Sequence, residues 1–198
     1  MGTTAVRNDK TYTYKDYLAR PENERWEIID GTAYMMAPPS TEHQRIVGNF
    51  FFAFKSYFNQ NKAKGCEAFL APFGVTFNRS AKDEEIITVV EPDITVICDK
   101  SKITQQGCKG APDMIIEVLS PATASYDVIK KRRLYEQNAV MEYWIADPAN
   151  QIVTKFYAND ASGEYQKPEY FSRDDVISPQ IFPELAIKLA EIFSGTGE

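Results

Sequence analysis

Apolar side chains recur at three- or four-residue intervals in the longest helix-like segment of the chain. They run from Ile46 to Phe58, and Ser40 or Thr41 can cap a helix that continues to about Asn61. Thr13, with an acidic residue three positions on, is typical of the start of a short helix. Two further helices are predicted, one over residues 125–138 and a short closing one over residues 185–193.

Other segments are apolar runs of strand length bounded by turn residues. Two of them flank Asp30-Gly31, a strong short hairpin signal, and predict a hairpin over residues 24–36. The remaining predicted strands lie at 67–70, 75–78, 93–98, 113–119, 142–146 and 152–157, with another near Tyr165. This order of helices and strands predicts an α/β (α+β) fold in which helices flank a mixed sheet.

The chain has 198 residues and 43% hydrophobic composition, which is enough for one sizeable core. We therefore expect a single domain over residues 1–198, with residues 1–10 as a flexible tail. The densest apolar stretch, residues 50–54, is far shorter than a membrane span. Together with a polar N-terminus, this predicts a soluble, cytoplasmic protein without membrane contact.

The cysteines and the charge limit the chemistry. Cys66, Cys98 and Cys108 lack CxxC spacing and there is one histidine, so we expect free thiols in a reducing cytosol and no zinc site. A net charge of -6 disfavours tight nonspecific binding to nucleic acid. It does not exclude a metal-dependent nuclease, because a divalent cation can offset acidic ligands and residues 130–133 form a local basic patch.

Two carboxylates interrupt strands that are otherwise apolar. Asp93 begins the run that ends at Ile97, and Glu117 lies inside the run that ends at Leu119. A buried carboxylate is costly unless a cation or hydrogen bonds compensate it, so this pair predicts a shared divalent metal ion. Asp113 competes with Asp93 for this role, but it lies four residues from Glu117 on one strand, roughly 13 Å away.

A cationic partner for this pair is predicted on the following helix. On a helical wheel, Lys131 lies at the centre of a face that also holds Asp127, Val128, Leu134 and Tyr135. An inward Lys131 is the favoured interpretation. The alternative is an Asp127–Lys131 pair on a solvated face, which contributes only a few tenths of a kcal/mol.

Several ordered motifs together resemble one known family. They are Trp26-Glu27-Ile28-Ile29-Asp30-Gly31, Pro38-Pro39-Ser40 with His43-Gln44, Glu91-Pro92-Asp93-Ile94, the run from Pro112 to Pro121, Asp127-x3-Lys131-x3-Tyr135, and Glu142-Tyr143-Trp144-Ile145-Ala146-Asp147. This set resembles the restriction-endonuclease-like family of bacteria within the PD-(D/E)XK nuclease superfamily. Leu119 departs from the superfamily pattern, in which a lysine occupies that position, and Lys131 resembles this family's displaced lysine.

The resemblance implies a restriction-endonuclease-like αβββαβ core and DNA as the substrate. The resulting hypothesis is a DNA endonuclease in which Asp93, Glu117 and the backbone carbonyl of Val118 hold Mg²⁺ or Mn²⁺. Lys131 would then orient the attacking water or stabilise the developing negative charge.

Supporting roles and the class of protein stay open. His43 is either an active-site residue next to Gln44 or a helix-start residue, and Glu27 is either a supporting carboxylate or, as we favour, a solvated strand residue. Asp127 and Tyr135 could support Lys131. A catalytically silent binding module with a nuclease fold is the alternative function. An exposed hairpin and an aromatic-rich C-terminal half predict a homodimer.

Overall fold

The computed structural model describes residues 4–5, 10–61, 65–79, 81–121, 124–160 and 163–195. Most of the predicted flexible tail at residues 1–10 lies outside these residues. Within it, Thr4–Ala5 forms strand β1, which pairs with residues Tyr34 and Met35 of the predicted hairpin.

A six-stranded mixed sheet is the centre of the fold. Its strands are β4 (Glu67–Leu70), β6 (Ile94–Ile97), β9 (Met114–Val118), β10 (Glu142–Asp147), β11 (Ile152–Tyr157) and β12 (Glu169–Ser172), in the spatial order β12-β11-β10-β9-β6-β4. The β9–β10 pair is parallel and the other pairs are antiparallel. The predicted mixed sheet is therefore confirmed.

Smaller sheets surround this centre. The predicted hairpin is present as β2 (Trp26–Ile29) and β3 (Thr32–Met35), with β1 added beside β3. Asp30 and Gly31 at its turn both have positive φ, as the Asp-Gly signal requires. The remaining strands are β5 (Gly74–Thr76), β7 (Ile103–Thr104), β8 (Gly107–Lys109), β13 (Val176–Ile177) and β14 (Ile187–Lys188).

Helices cover both faces of the central sheet. They are α1 (Tyr14–Leu18), α2 (Thr41–Gln60), α3 (Arg132–Gln137) and α4 (Leu189–Ile192), and a π-helical segment (Tyr126–Lys131) leads directly into α3. Ser40 caps α2 by accepting a hydrogen bond from the backbone N–H of His43. The order α2-β4-β6-β9-α3-β10 is the expected αβββαβ core.

Strand β9 is buried on both faces, and its alternation decides where Glu117 lies. Met114, Ile116 and Val118 belong to the hydrophobic cluster under α2, with Phe50, Phe54 and Trp144. Ile115 belongs to the cluster under α3. Since side chains alternate along a strand, Glu117 lies on the α3 face, the same face as Ile115.

Two expectations about individual residues are wrong. Cys66 and Cys98 form a disulfide, while Cys108 is free and buried. The pairing of Glu67 with Ile97 brings Cys66 and Cys98 face to face, although they are 32 residues apart in sequence. The argument from free thiols to a reducing compartment therefore loses its premise. Val128, expected on the inward helix face, is 40% exposed.

Other differences concern boundaries. Tyr165 forms one isolated bridge, to Ala158, rather than a strand. The closing helix is restricted to Leu189–Ile192, and the strand predicted at 75–78 is Gly74–Thr76. Among the described residues, no helix combines the length and hydrophobicity that a bilayer crossing requires.

A buried carboxylate at the start of β10 fixes the C-terminal segment. Glu142 accepts hydrogen bonds from the indole of Trp144 and from the backbone N–H of Gln180, both at 2.8 Å. Lys155 lies 3.7 Å away and donates to the carbonyl of Ser178. Burial raises the pKa of Glu142 to about 7, against the opposing effect of Lys155.

This raised pKa predicts a pH-dependent stability. The folded protein binds the Glu142 proton more tightly than the unfolded chain does, so the stabilising contribution is complete below about pH 4.5 and is lost as the pH rises through 7. From pH 5 to 8, the free energy of unfolding of wild type should fall by roughly 2 to 3 kcal/mol more than that of Glu142→Gln. Urea unfolding of both proteins at each pH measures this difference.

Glu169→Gln is the matched control, because Glu169 lies the same 3.7 Å from Lys155 but is 43% exposed. The stability of Glu169→Gln relative to wild type therefore measures what the loss of a contact with Lys155 does without removal of a buried carboxylate. A constant difference between Glu142→Gln and wild type from pH 5 to 8 would contradict the assignment.

Candidate active site

The predicted acidic pair meets where two neighbouring strands of the central sheet, β6 and β9, begin and end. Strands β6 and β9 pair Ile94 with Ile116, so Asp93, just before β6, lies beside Glu117, near the end of β9. The backbone N–H of Asp93 points at Glu117 Oε2 at 3.4 Å, and the backbone N–H of Val118 donates to Asp93 Oδ2 at 2.8 Å. The two carboxylates are therefore held side by side by strand geometry.

Lys131 reaches Glu117 from the π-helical segment that precedes α3. Its Nζ lies 2.8 Å from both Glu117 Oε1 and Glu27 Oε1, and 3.6 Å from Asp127 Oδ1. Only 1% of Lys131 is exposed, so it lies inward and the alternative of a solvated Asp127–Lys131 pair is wrong. The hydroxyl of Tyr135 also donates to Glu117 Oε1, at 2.9 Å.

The π-helical segment explains how Asp127 and Lys131 both face inward. A π-helix has more residues per turn than an α-helix, so positions four apart align more closely. Asp127 and Lys131 are buried, while Val128 and Ile129 between them are exposed. A wheel with α-helical periodicity therefore places Lys131 correctly and Val128 incorrectly.

Glu27 is a buried member of the site rather than the solvated residue that we favoured. It is fully buried, and besides Lys131 it accepts a hydrogen bond from the backbone N–H of Glu91 at 2.8 Å. Its second oxygen has no hydrogen-bond partner among the described residues. The sequence misleads because Glu27 alternates with Trp26 and Ile28, which is typical of a solvent-facing strand position.

Sequence reasoning also missed the role of Glu91. This residue is buried, and its carboxylate contacts Arg20 Nη2 at 3.0 Å, Arg25 Nη2 at 2.9 Å and the hydroxyl of Tyr17 at 2.8 Å. Since Glu91 also binds Glu27 through its backbone, it connects α1 to the hairpin side of the site. The one feature of the sequence that could have indicated this role is the position of Glu91, two residues before Asp93.

His43 and Gln44 come from the first turn of α2. His43 Nε2 lies 3.1 Å from Asp93 Oδ2, and its Nδ1 is buried without a hydrogen-bond partner among the described residues. Burial alone would lower the pKa of His43, but the hydrogen bond and charge of Asp93, together with a hydrogen bond to the Val118 backbone, outweigh it and the pKa is raised. Gln44 is exposed and lines the cavity over the site.

Burial and mutual repulsion dominate the electrostatics. Burial raises the pKa of Glu117 well above its ordinary value, and the carboxylates of Asp93, Asp127 and Glu27 raise it further against the effect of Lys131. Burial would lower the pKa of Lys131, but the charges of Glu117, Glu27 and Asp127 hold it well above its ordinary value. Four carboxylates thus converge on one lysine and one histidine, and the site has an excess of negative charge.

The donor set fits a hard divalent cation. Asp93 and Glu117 offer carboxylate oxygens side by side, and the Val118 carbonyl, which a hydrogen bond with His43 brings to the same place, is the candidate third oxygen. Among the described residues, no three His, Cys, Asp or Glu side chains are arranged to hold an ion. An ion here would therefore need the carbonyl and water to complete its shell, as Mg²⁺ commonly does.

A cavity of about 600 Å³ opens above these groups. Its floor includes Glu27, Asp93, Glu117, Asp127 and Lys131. Its walls come from the segment after β3, the start of α2, the segment after β9 and the β10–β11 turn. The cavity therefore gives a substrate access to all of the site residues predicted from the sequence except Tyr135, which supports Glu117 from beneath.

Known proteins resemble this chain in sequence and in fold. The Uma2 family model, described as "Putative restriction endonuclease", matches residues 13–190. An uncharacterized protein of Synechocystis, slr1290, is 24% identical over 165 residues, which are 81% of this chain and 80% of that protein. The crystal structure of a putative nuclease of DUF820 from Anabaena variabilis superposes with a TM-score of 0.72 at 24% identity, covering 92% of this chain and 98% of that one. This likeness shows the same fold.

The buried charges predict a large effect of removing the lysine. Lys131→Met leaves Glu27 and Glu117 buried without their cation, and should lower the free energy of unfolding by about 3 to 5 kcal/mol. Adding Glu27→Gln to Lys131→Met removes one of the stranded charges and should recover part of that loss. Urea unfolding at pH 7.5 without divalent metal measures both.

Lys130→Met is the matched control, because Lys130 contacts the hydroxyl of Tyr34 instead of these carboxylates. It should cost less than about 1 kcal/mol. Equal losses for Lys130→Met and Lys131→Met would refute the special position of Lys131.

Proposed function

This chain belongs to the Uma2 family, described as putative restriction endonuclease, and we propose on that basis that it is a metal-dependent DNA endonuclease. It would hydrolyse phosphodiester bonds at the site formed by Asp93, Glu117 and Lys131. The observation that carries the proposal is the excess of buried negative charge at the floor of an open cavity. A bound divalent cation is the simplest way to offset that charge while leaving the carboxylates ionised.

Asp93, Glu117 and the Val118 carbonyl would hold Mg²⁺ or Mn²⁺. The ion would supply an acidified water and neutralise charge on the phosphate. The Val118 N–H and His43 both contact Asp93 Oδ2 and so orient the side chain, and Oδ1 is the oxygen that would hold the ion. Tyr135 fixes Glu117 from beneath in the same way.

Lys131 is the group that acts on the phosphate or the attacking water. Its ammonium is held by Glu27 and Glu117, which keep it charged and fix its position at the cavity floor. A preorganised cation in a site that excludes most water stabilises developing negative charge strongly. Glu27 and Asp127 would then be positioning residues, since they contact Lys131 and have no required contact with the substrate.

Cleavage by purified protein with Mg²⁺, Mn²⁺ or EDTA tests the proposal. The substrates are supercoiled plasmid and a mixture of single-stranded oligonucleotides. Asp93→Asn and Glu117→Gln should each reduce metal-dependent cleavage on the order of 100-fold or more. Asp113→Asn is the matched control, because Asp113 follows a proline as Asp93 does but binds the backbone N–H of Cys98 away from the site.

Wild-type activity in the Asp93 and Glu117 variants would refute the ligand assignment. If wild type cleaves none of these substrates and calorimetry detects no Mn²⁺ binding, the chain is a catalytically silent module with a nuclease fold. The homodimer predicted from the sequence stays a prediction, and light scattering of the same preparation tests it.

A further inference from the structure

We propose that this site takes an unpaired stretch of DNA, with one or two nucleotides inserted into the cavity, rather than a phosphate within an intact double helix. This inference rests on the proposed function and specifies its substrate. It follows from three features of the described residues: the depth and size of the cavity, the small number of cations among the residues that line it, and its apolar walls.

The reacting groups lie deep inside the cavity. The side chains of Lys131 and Glu117 are only 2% and 5% exposed, and the more accessible Asp93 is 18% exposed. The cavity has a volume of about 600 Å³, which is in the range of pockets that hold single small molecules. An unpaired nucleotide can be inserted into a pocket of this size, whereas a base inside a double helix must first be extruded.

The cavity offers few cations for a DNA backbone. Among its described lining residues, the permanent cations are Arg25, which is paired with Glu91, and the buried Lys131. Lys130 lies beside the wall, 5.9 Å from the ring of Tyr126, and contacts Tyr34. The acidic lining residues are Glu27, Glu42, Asp93, Glu117, Asp127 and Asp147. Double-helix binders neutralise many phosphates, and this surface can neutralise one or two.

The walls have the character that unpaired bases prefer. They include Pro38, Pro39, Leu70, Leu119, Pro121 and Pro148, together with the ring of Tyr126. Bases of single strands bind by stacking on aromatic side chains, and Tyr126 is the aromatic residue among the described lining residues. Bases inside a double helix are already stacked and cannot use such walls unless they are extruded.

Fluorescence anisotropy tests the inference without depending on turnover. The probes are a fluorescein-labelled 12-nucleotide thymidine strand and a labelled 20-base-pair duplex, each titrated with the full chain in Ca²⁺ at several salt concentrations. We expect the single strand to bind at least 10-fold more tightly. The slope of log K against log salt should be about -1, since each neutralised phosphate of a single strand contributes about -0.7.

A variant that fills the cavity separates insertion from surface binding. Ala149 is exposed on the β10–β11 turn and lines the cavity, so Ala149→Trp should reduce single-strand affinity at least 5-fold. Ala186→Trp is the matched control, because Ala186 is also exposed but does not line the cavity. It should leave the affinity unchanged.

Three results would each overturn the inference: duplex binding as tight as single-strand binding, a salt slope of about -5 or steeper, or no effect of Ala149→Trp. Absence of binding to either probe would overturn it as well. Failure of the proposed function is a separate result, because wild type would then show no metal-dependent cleavage of any substrate. If wild type cleaves intact duplex and binds it tightly, the proposed nuclease function stands and the preference for unpaired DNA is contradicted.

Discussion

The contacts of Lys131 with Glu27 and Glu117 are the interaction on which the rest of the site depends. They join three elements from distant parts of the chain, namely the hairpin strand β2, the central strand β9 and the π-helical segment before α3. A buried ion pair contributes little net stability, because desolvation offsets most of the attraction. Removing one partner is nevertheless costly, so the cluster constrains how these three elements can pack.

Carboxylates outnumber the basic side chains in this cluster. Lys131 faces Glu27, Glu117 and Asp127, and Asp93 has His43 as its partner. The surplus carboxylate charge includes Asp93 and Glu117, which the strand pairing places side by side. The same surplus repels a polyanion until a cation binds, so the acidic character of the chain and a nuclease function are compatible.

The sequence predicts those residues of the candidate site whose positions follow from strand or helix periodicity. Asp93 and Glu117 stand out because each interrupts an apolar strand, and the antiparallel pairing of Ile94 with Ile116 then brings them together. Lys131 is found because positions four apart share a helix face. Glu27 is missed, since alternation in β2 cannot tell a solvent-facing side from one covered by another layer. The Cys66–Cys98 disulfide is missed because it depends on strand register across 32 residues.

The most direct measurement of the central claim is the position of a bound ion. Crystals of the full chain soaked in Mn²⁺, with data collected near the manganese absorption edge, give an anomalous difference map. The account predicts a peak that contacts Asp93, Glu117 and the Val118 carbonyl, and that is lost in Asp93→Asn crystals. A peak elsewhere, or none at a concentration that saturates binding in solution, would contradict it.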